Sequence, residues 1–310
     1  MAEAVRSRAA LPAVGARRRL SDREGALGWI FLLPSVVYIV ALVGVPFVLA
    51  IAFSFSDVTA GDPSFDGVGF RNYRRIFDDP VFWHSLQNTL VFTAISMALI
   101  VVFGKVLANI LVADFRGKWL VRFLVLLPWT TPVALSSIAW LWLLDSIFSP
   151  IDWVLRHVGL LQTNTYWLGR PYLAMASVIA VHVWRLVPLA AVIMLAGLVA
   201  IPREIQEQAE VDGAGFWRRM FEITIPLTLP VIAVAALFGA IFTFTDMTVV
   251  YILTRGGPTN STQVLASWAF FRGIEGGDVA QGAAIALFLF PLLLAAAIAI
   301  LRAVRRMEVL

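Results

Sequence analysis

Six long apolar stretches dominate this 310-residue sequence and decide its fold class. Each exceeds the roughly 18–20 residues that an α-helix needs to cross a bilayer. Hydrophobic residues make up 60% of the chain and charged residues only 14%, so a water-soluble domain of this length could not bury the apolar surface. We therefore predict an all-α, polytopic integral membrane protein with about six transmembrane helices. The predicted spans are Leu27–Phe53, Thr89–Val112, Leu120–Leu144, Tyr172–Val199, Pro230–Leu253 and Val279–Leu301.

The distribution of Lys and Arg predicts the orientation of these spans. Of the 24 basic residues, fifteen fall on the side that carries the N-terminus and seven on the opposite side. Cytosolic loops of membrane proteins carry an excess of basic residues, so we expect both termini in the cytosol of a cell (plasma or inner) membrane. The net charge of +4 then reflects membrane topology, with most basic residues as anchors to inner-leaflet membrane lipid, and nucleic acid is not an expected partner. We predict a disordered cytosolic tail over residues 1–25, a transmembrane domain over 26–302 and a cytosolic tail over 303–310.

The loop between the fourth and fifth spans, residues 200–228, is patterned rather than merely polar. Pro202 suits the first turn of a helix, and Ile205 and Ala209 fall on one face of that helix. Gly213 follows where the helix would stop, because glycine accepts the left-handed conformation without steric cost. A second apolar stripe then leads to Pro226. The pattern predicts a rigid helix–glycine–helix elbow on the cytosolic side that serves as a docking element.

This elbow resembles the EAA loop of ABC-importer permease subunits, in particular those of the carbohydrate-uptake branch. Gln208 replaces the middle Ala of that motif, and Ile225 replaces its Leu. The resemblance implies a type I ABC importer permease fold in which this loop sits in a groove of the cytosolic ATPase subunit. The residues that it assigns to coupling are Glu207, Gln208, Ala209, Asp212, Gly213, Ala214, Ile223 and Pro226.

Two further stretches resemble the same family. Leu253–Pro258 is similar to its Leu-Thr-x-Gly-Gly-Pro sequence at the external end of the fifth span. This resemblance implies that Gly256, Gly257 and Pro258 face an extracytoplasmic solute-binding protein. The second stretch precedes the second span, and its matching residues are Phe70, Asn72, Tyr73, Asp79, Pro80, Asn88 and Thr89.

Three ionisable residues lie within predicted spans, where an uncompensated charge is costly. Lys105, near the cytosolic end of its helix, is expected to extend its ammonium to the lipid headgroups. Arg185 must face protein or water, as a structural ion pair or as part of a pathway. Asp246 lies among Thr and Phe residues, and these polar neighbours favour a water-facing position.

Candidates for lining a translocation pathway come from the same region. Hydroxyls and carboxylates hydrogen-bond sugar hydroxyl groups, and aromatic rings stack on the apolar faces of sugar rings. Thr also mediates helix–helix packing, which is the competing interpretation. The pathway candidates are Arg185, Phe242, Thr245, Asp246 and Thr248.

Enzymatic chemistry has little support in the sequence. The three histidines, at positions 84, 157 and 182, are scattered without metal-ligand spacing, and the chain contains no Cys. Neither Gly104-Lys105 nor Gly117-Lys118 belongs to a phosphate-binding loop. We therefore predict no catalytic residues, no metal and no cofactor, and we place ATP hydrolysis in a separate subunit.

The resemblance spans nearly the whole chain and implies a permease subunit of an ATP-driven sugar importer. Its expected partners are cytosolic ABC ATPase subunits, a second permease subunit, a solute-binding protein and a sugar in transit. A permease for a polyol, a glycerol phosphate ester or a peptide stays open as an alternative. An ion-coupled secondary transporter would need inverted repeats and coupling carboxylates at the bilayer midplane. A membrane-embedded enzyme would need an acid/base or metal cluster.

Overall fold

The computed structural model describes residues 24–308, so nearly all of the predicted tail at 1–25 lies outside the described residues. The chain divides into two compact units, residues 1–49 and 50–310. Within the described range the backbone is helical apart from connecting loops and one isolated bridge between Ser56 and Gly67. The predicted all-α class is confirmed.

The first unit consists, in its described part, of one apolar helix that continues into the start of the second unit. This helix comprises α1 (Glu24–Ile39), a π-helical turn (Val40–Gly44) and α2 (Val45–Ser54). Its apolar stretch, Gly28–Ser54, is long enough to cross a membrane, as the sequence predicts.

The second unit contains the other helices, and two π-helical turns interrupt them at 219–224 and 271–275. The helices are α3 (Arg71–Asp78), α4 (Pro80–Val112), α5 (Lys118–Thr130), α6 (Val133–Leu143), α7 (Pro150–His157), α8 (Pro171–Val199), α9 (Arg203–Val211), α10 (Phe216–Arg218), α11 (Ile225–Phe244), α12 (Thr248–Leu253), α13 (Leu265–Phe270) and α14 (Val279–Glu308). The last helix thus continues through most of the predicted tail at 303–310.

By length and composition, five described helices could cross a membrane, and a bent pair of shorter helices raises the number to six. The second span begins at Pro80 rather than Thr89, because Asp79 caps the helix and its carboxylate accepts the Val81 N–H at 2.9 Å. The fifth span runs over Phe216–Phe244 and stops well before the predicted Leu253. The helix breaks at residues 245–247.

The third predicted span, Leu120–Leu144, is two helices rather than one. Helices α5 and α6 meet at 95° across Thr131 and Pro132. Proline lacks the backbone N–H that would form the next hydrogen bond of the helix, so the break occurs at Pro132. The hydroxyls of Thr130 and Thr131 both donate to the Leu127 carbonyl, which satisfies part of the exposed backbone at the bend.

The core of the second unit forms where α4, α8 and α11 pack together. Its fully buried side chains include Phe92 and Ile100 of α4 and Leu186 and Met194 of α8. Gly104 brings α4 very close to α8, because a Cβ built there would lie 2.9 Å from the Ala190 Cβ. Small residues at such crossings permit the close packing that drives helix association in membranes.

The loop before α3 is held by hydrogen bonds to the end of the first span. Asn72 is buried, and its Nδ2 donates to the carbonyls of Ser54 at 3.0 Å and Ser56 at 2.7 Å. The Tyr73 hydroxyl donates to the Ser54 Oγ at 2.9 Å. These two residues, noted in the sequence as a pair, therefore have a structural role.

Candidate functional site

The elbow between α8 and α11 has the form that its sequence predicts. Pro202 precedes α9, and Ala209 is the buried residue of that helix. Gly213 adopts a left-handed backbone conformation with φ +71°, and the Ala214 N–H returns to the Ala209 carbonyl at 2.9 Å. This is a glycine-terminated helix C-terminus, with the chain turned sharply away from α9.

The elbow presents an acidic, solvent-exposed surface. Glu207 and Asp212 are exposed, as are Gln208 and Gly213. Glu210 forms an ion pair with Arg219, which joins α9 to the following π-helical turn across the glycine. Ile223 and Ala214 are half-buried, whereas Pro226 is exposed at the start of α11.

A groove of about 700 Å³ adjoins the elbow. The elbow, the end of α4 and the start of α5 line it with polar and apolar groups. Within it, Glu207 and Glu210 lie on the α9 side, and Asn109 and Lys118 on the other. The elbow therefore borders an open, mixed-charge recess at the end of the bundle.

A buried polar cluster lies where α11 breaks. The Asp246 carboxylate accepts from His182 Nδ1 at 2.8 Å and from an Arg185 guanidinium nitrogen at 3.1 Å, both through Oδ2. Its Oδ1 accepts the backbone N–H groups of Thr248 at 2.7 Å and Val249 at 3.2 Å. One carboxylate thus connects α8 to the first turn of α12.

The expectation that Asp246 faces water is wrong. Its side chain is 5% exposed, and His182 is fully buried beside it. The neighbouring Thr243 hydroxyl is buried and donates to the Gly239 carbonyl one turn back in its own helix, so it does not indicate a water-facing position. Arg185 is an ion-pair partner of Asp246, one of the two roles that its position left open.

The sequence does not single out His182, because the three histidines lack metal-ligand spacing. It lies three residues before Arg185 on α8, and residues three apart share a helix face, so a polar pair on an otherwise apolar helix could have indicated a common partner. Asp246 itself lies in the break after α11, three residues beyond Thr243. His182 Nε2 lies 2.9 Å from the Thr243 hydroxyl.

The other pathway candidates surround this cluster without joining it through their side chains. Thr245 is exposed, Thr248 is half-buried, and Phe242 packs edge-on against Trp129 of α5 with ring centroids 5.5 Å apart. Phe242 and Trp129 are half-buried. These residues lie on both sides of the α11–α12 break.

Lys105 does not extend to the headgroups. It is 7% exposed, and its ammonium donates to the Thr228 hydroxyl of α11 at 3.3 Å. The expectation was wrong because α11 passes close enough to offer an acceptor inside the bundle.

The loop that follows α12, residues 254–264, is compact. Gly256 has φ +83°, and any Cβ there would overlap the side-chain oxygen of Gln263. Asn88 of α4 donates to the carbonyls of Asn260 at 3.1 Å and Gln263 at 3.0 Å. Gly257 and Pro258 are half-buried within this loop.

Comparison with known proteins identifies the family. Residues 100–309 match the family described as binding-protein-dependent transport system inner membrane component. The chain belongs to this family. It is therefore a multi-pass inner-membrane component of a transport system, as its apolar spans indicate.

Relatives match this inner membrane component over nearly its whole length. The sulfoquinovosyl glycerol transport system permease of Agrobacterium fabrum is 32% identical and covers 92% of both chains. The trehalose/maltose transport system permease of Thermococcus litoralis is 31% identical, over 92% of this chain and 95% of its own. A solved bacterial alginate ABC transporter, in complex with its alginate-pentasaccharide-bound periplasmic protein, contains a chain of the same fold. That chain is 20% identical, with a TM-score of 0.79 over 94% of this chain and 98% of its own. The predicted permease fold is confirmed.

Within the described residues, no cluster of three or more His, Asp or Glu side chains has the arrangement of a metal site. The residues assigned to coupling, to the pathway and to the binding-protein-facing loop remain predictions about function.

Proposed function

We propose that this chain is the permease subunit of an ATP-driven sugar importer, with part of the translocation pathway in its helices and the coupling to ATPase subunits in its elbow. The observation that carries the coupling role is the elbow itself. A short helix ending in a left-handed Gly213 next to an open groove presents a rigid surface for another protein. A simple connection between two spans would need neither feature.

The coupling surface is acidic and accessible. Glu207 and Asp212 are exposed, while Ala209 is buried on the side of the short helix opposite Glu207. The Glu210–Arg219 ion pair and the hydrogen bond from Ala214 to Ala209 hold the two arms of the elbow at a fixed angle. A force applied to α9 would therefore reach α11 rather than dissipate in a flexible loop.

The excess of basic residues on the elbow side places the elbow and both chain termini in the cytosol in this proposal. The sequence has no phosphate-binding loop, so cytosolic ABC ATPase subunits would hydrolyse ATP. A second permease subunit would complete the pathway. On the opposite face, the compact loop with Gly256, Gly257 and Pro258 would receive the solute-binding protein.

The substrate class rests on the relatives, whose names specify sulfoquinovosyl glycerol and trehalose/maltose. The α11–α12 break supplies matching chemistry, with the Thr245 and Thr248 hydroxyls and the aromatic pair Trp129 and Phe242. Hydroxyl groups form hydrogen bonds with sugar hydroxyls, and aromatic rings stack on the apolar faces of sugar rings. The non-sugar alternatives are a polyol, a glycerol phosphate ester and a peptide. Uptake of each is measured separately in the test below.

The test combines uptake with ATPase capture in membranes that contain the whole transporter. Gly213→Val forces a β-branched residue into a left-handed conformation at an exposed site. Gly159→Val is the matched control, because Gly159 has φ +77° and open space around it but lies outside the elbow. We expect Gly213→Val to reach the membrane normally, lose uptake and bind the ATPase weakly or hydrolyse ATP without transport.

Glu207→Lys should produce the same uncoupling, because it reverses one charge of the exposed surface without altering the backbone. Normal uptake and ATPase binding in both elbow variants would overturn the coupling role. If Gly159→Val lost ATPase binding as Gly213→Val does, general strain rather than docking would explain the result. Uptake of a non-sugar solute alone would overturn the proposed substrate class.

A further inference from the structure

The buried cluster at the α11–α12 break places the His182 ring between two hydrogen-bonding partners. The Thr243 hydroxyl donates its one hydrogen to the Gly239 carbonyl at 2.6 Å. It must then accept from His182 Nε2, 2.9 Å away, so that nitrogen carries a hydrogen. The contact between His182 Nδ1 and Asp246 at 2.8 Å also needs a hydrogen between the two atoms. The imidazole therefore links two fixed partners, Asp246 and Thr243.

The charged groups that face His182 are few. Asp246 lies at the break, and Arg185 lies one turn along its own helix. From α4, the ring of Phe92 packs against the imidazole with centroids 5.0 Å apart, and both residues are fully buried. In this apolar setting, a hydrogen bond to the carboxylate has no water to replace it if it is lost.

The cluster also joins two elements that lead to opposite faces of the protein. Helix α8 ends at Val199, directly before the elbow, whereas α12 leads directly into the loop at 254–264. One oxygen of the Asp246 carboxylate forms hydrogen bonds with His182 and Arg185 of α8. The other oxygen caps the first turn of α12. A shift of α8 would therefore pull on the start of α12.

We propose that His182 is a positioning residue for transport: it holds Asp246, and through Asp246 it ties the loop after α12 to the helix that carries the coupling elbow. This role rests on the proposed function. His182 holds the carboxylate more closely than Arg185 does, at 2.8 Å against 3.1 Å, and from a fully buried position. The contact that matters is Nδ1 to Asp246, and the contact of Nε2 with Thr243 orients the ring.

Two amide substitutions separate these two contacts. The amide nitrogen of Asn occupies about the place of histidine Nδ1, and that of Gln about the place of Nε2. His182→Asn therefore keeps a donor for Asp246 and loses the one for Thr243, whereas His182→Gln does the reverse. The same changes at His84, which is exposed on α4, serve as matched controls.

The experiment measures sugar uptake and ATP hydrolysis by the complete transporter in proteoliposomes, with and without binding protein. For His182→Gln we expect the amount of sugar moved per ATP to fall about tenfold, as the loss of one buried hydrogen bond would give. His182→Asn should stay near the wild-type ratio. A packing role predicts the opposite order, because Asn leaves the larger cavity.

Equal ratios in the two His182 variants and the wild type would overturn the positioning role, and so would a larger loss in His182→Asn than in His182→Gln. Loss in the His84 variants as well would assign the effect to the substitutions and not to the site, which also counts against the proposal. A wild-type transporter that hydrolyses ATP but moves no sugar would instead overturn the proposed function.

Discussion

The Lys105 ammonium, buried within α4, donates to the Thr228 hydroxyl of α11, and the same hydroxyl donates to the Thr224 carbonyl. Thr224 is the last residue of the π-helical turn that joins the elbow to α11. A charge inside the bundle is thus satisfied by a neutral hydroxyl, and within the described residues no carboxylate lies within ion-pair distance of it. The contact thus connects α4, the second span, to the segment where the elbow leads into α11.

Removing the acceptor should cost more than removing the charge. Thr228→Val leaves a buried ammonium without its hydroxyl acceptor, and we expect a loss of about 1–3 kcal/mol in stability. Lys105→Met fills similar space without a charge and should be close to neutral. Thermal unfolding of the purified transporter in detergent measures both. A larger loss for Lys105→Met would mean that the ammonium has a partner outside this chain.

Asp246→Asn should disrupt the buried cluster while preserving membrane insertion. The carboxylate accepts four hydrogen bonds, and an amide has only one acceptor oxygen, so its NH₂ group must face donors. Breaking a buried ion pair costs about 3–5 kcal/mol, so we expect lower thermal stability and uptake reduced by at least about tenfold. Asp66→Asn, in the exposed loop between the first span and α3, is the control. Normal uptake and stability in Asp246→Asn would remove Asp246 from the pathway and from the cluster's function.

Gly104→Ala should separate α4 from α8. The added Cβ would lie 2.9 Å from the Ala190 Cβ, too close for a real contact, whereas the Cβ of Gly239→Ala would lie 3.7 Å from Ile100. Overpacking of this kind costs about 1–3 kcal/mol, so Gly104→Ala should lower the unfolding temperature and Gly239→Ala should not. Equal unfolding temperatures for the two variants would show that α8 can shift without cost.

Gly256→Ala should distort the loop after α12, because its Cβ would overlap Gln263 and its φ is +83°. If this loop receives the binding protein, the variant should fold and insert but lose the stimulation of ATP hydrolysis that the binding protein gives. Gln263→Ala in the same chain removes the overlap and should restore part of that stimulation. Full stimulation in Gly256→Ala alone would contradict the assignment of the loop.

The spans and the elbow could be predicted from sequence because their signals are local. Apolar length alone determines whether a helix can cross a bilayer, and Gly213 after a short amphipathic helix predicts the left-handed turn that is observed. The break in the third span was not predicted: Pro128 lies inside α5 and only Pro132 lies at the break, so a proline alone does not locate it. The 95° angle between α5 and α6 could not be predicted either, because packing against other helices sets it.

The buried cluster depends on contacts between residues far apart in sequence, which a local sequence pattern cannot predict. His182 lies 64 residues from Asp246 in sequence, and only the crossing of two helices brings them to 2.8 Å. Polar neighbours of Asp246 favoured water, but the Thr243 hydroxyl is buried and bonded to its own helix. The hydrogen bond between Lys105 and Thr228 was missed for the same reason, since 123 residues separate the two.

The bend between α5 and α6 has a consequence for biosynthesis. Helix α5 has 13 residues and α6 has 11, and at about 1.5 Å per residue neither reaches across a hydrocarbon core of about 30 Å. We therefore expect the insertion machinery to accept both as one apolar segment. We expect the 95° turn to form after entry, once α8 packs against α5 and α12 against α6. The bent pair would then reach its final form only after helices synthesised later are in place.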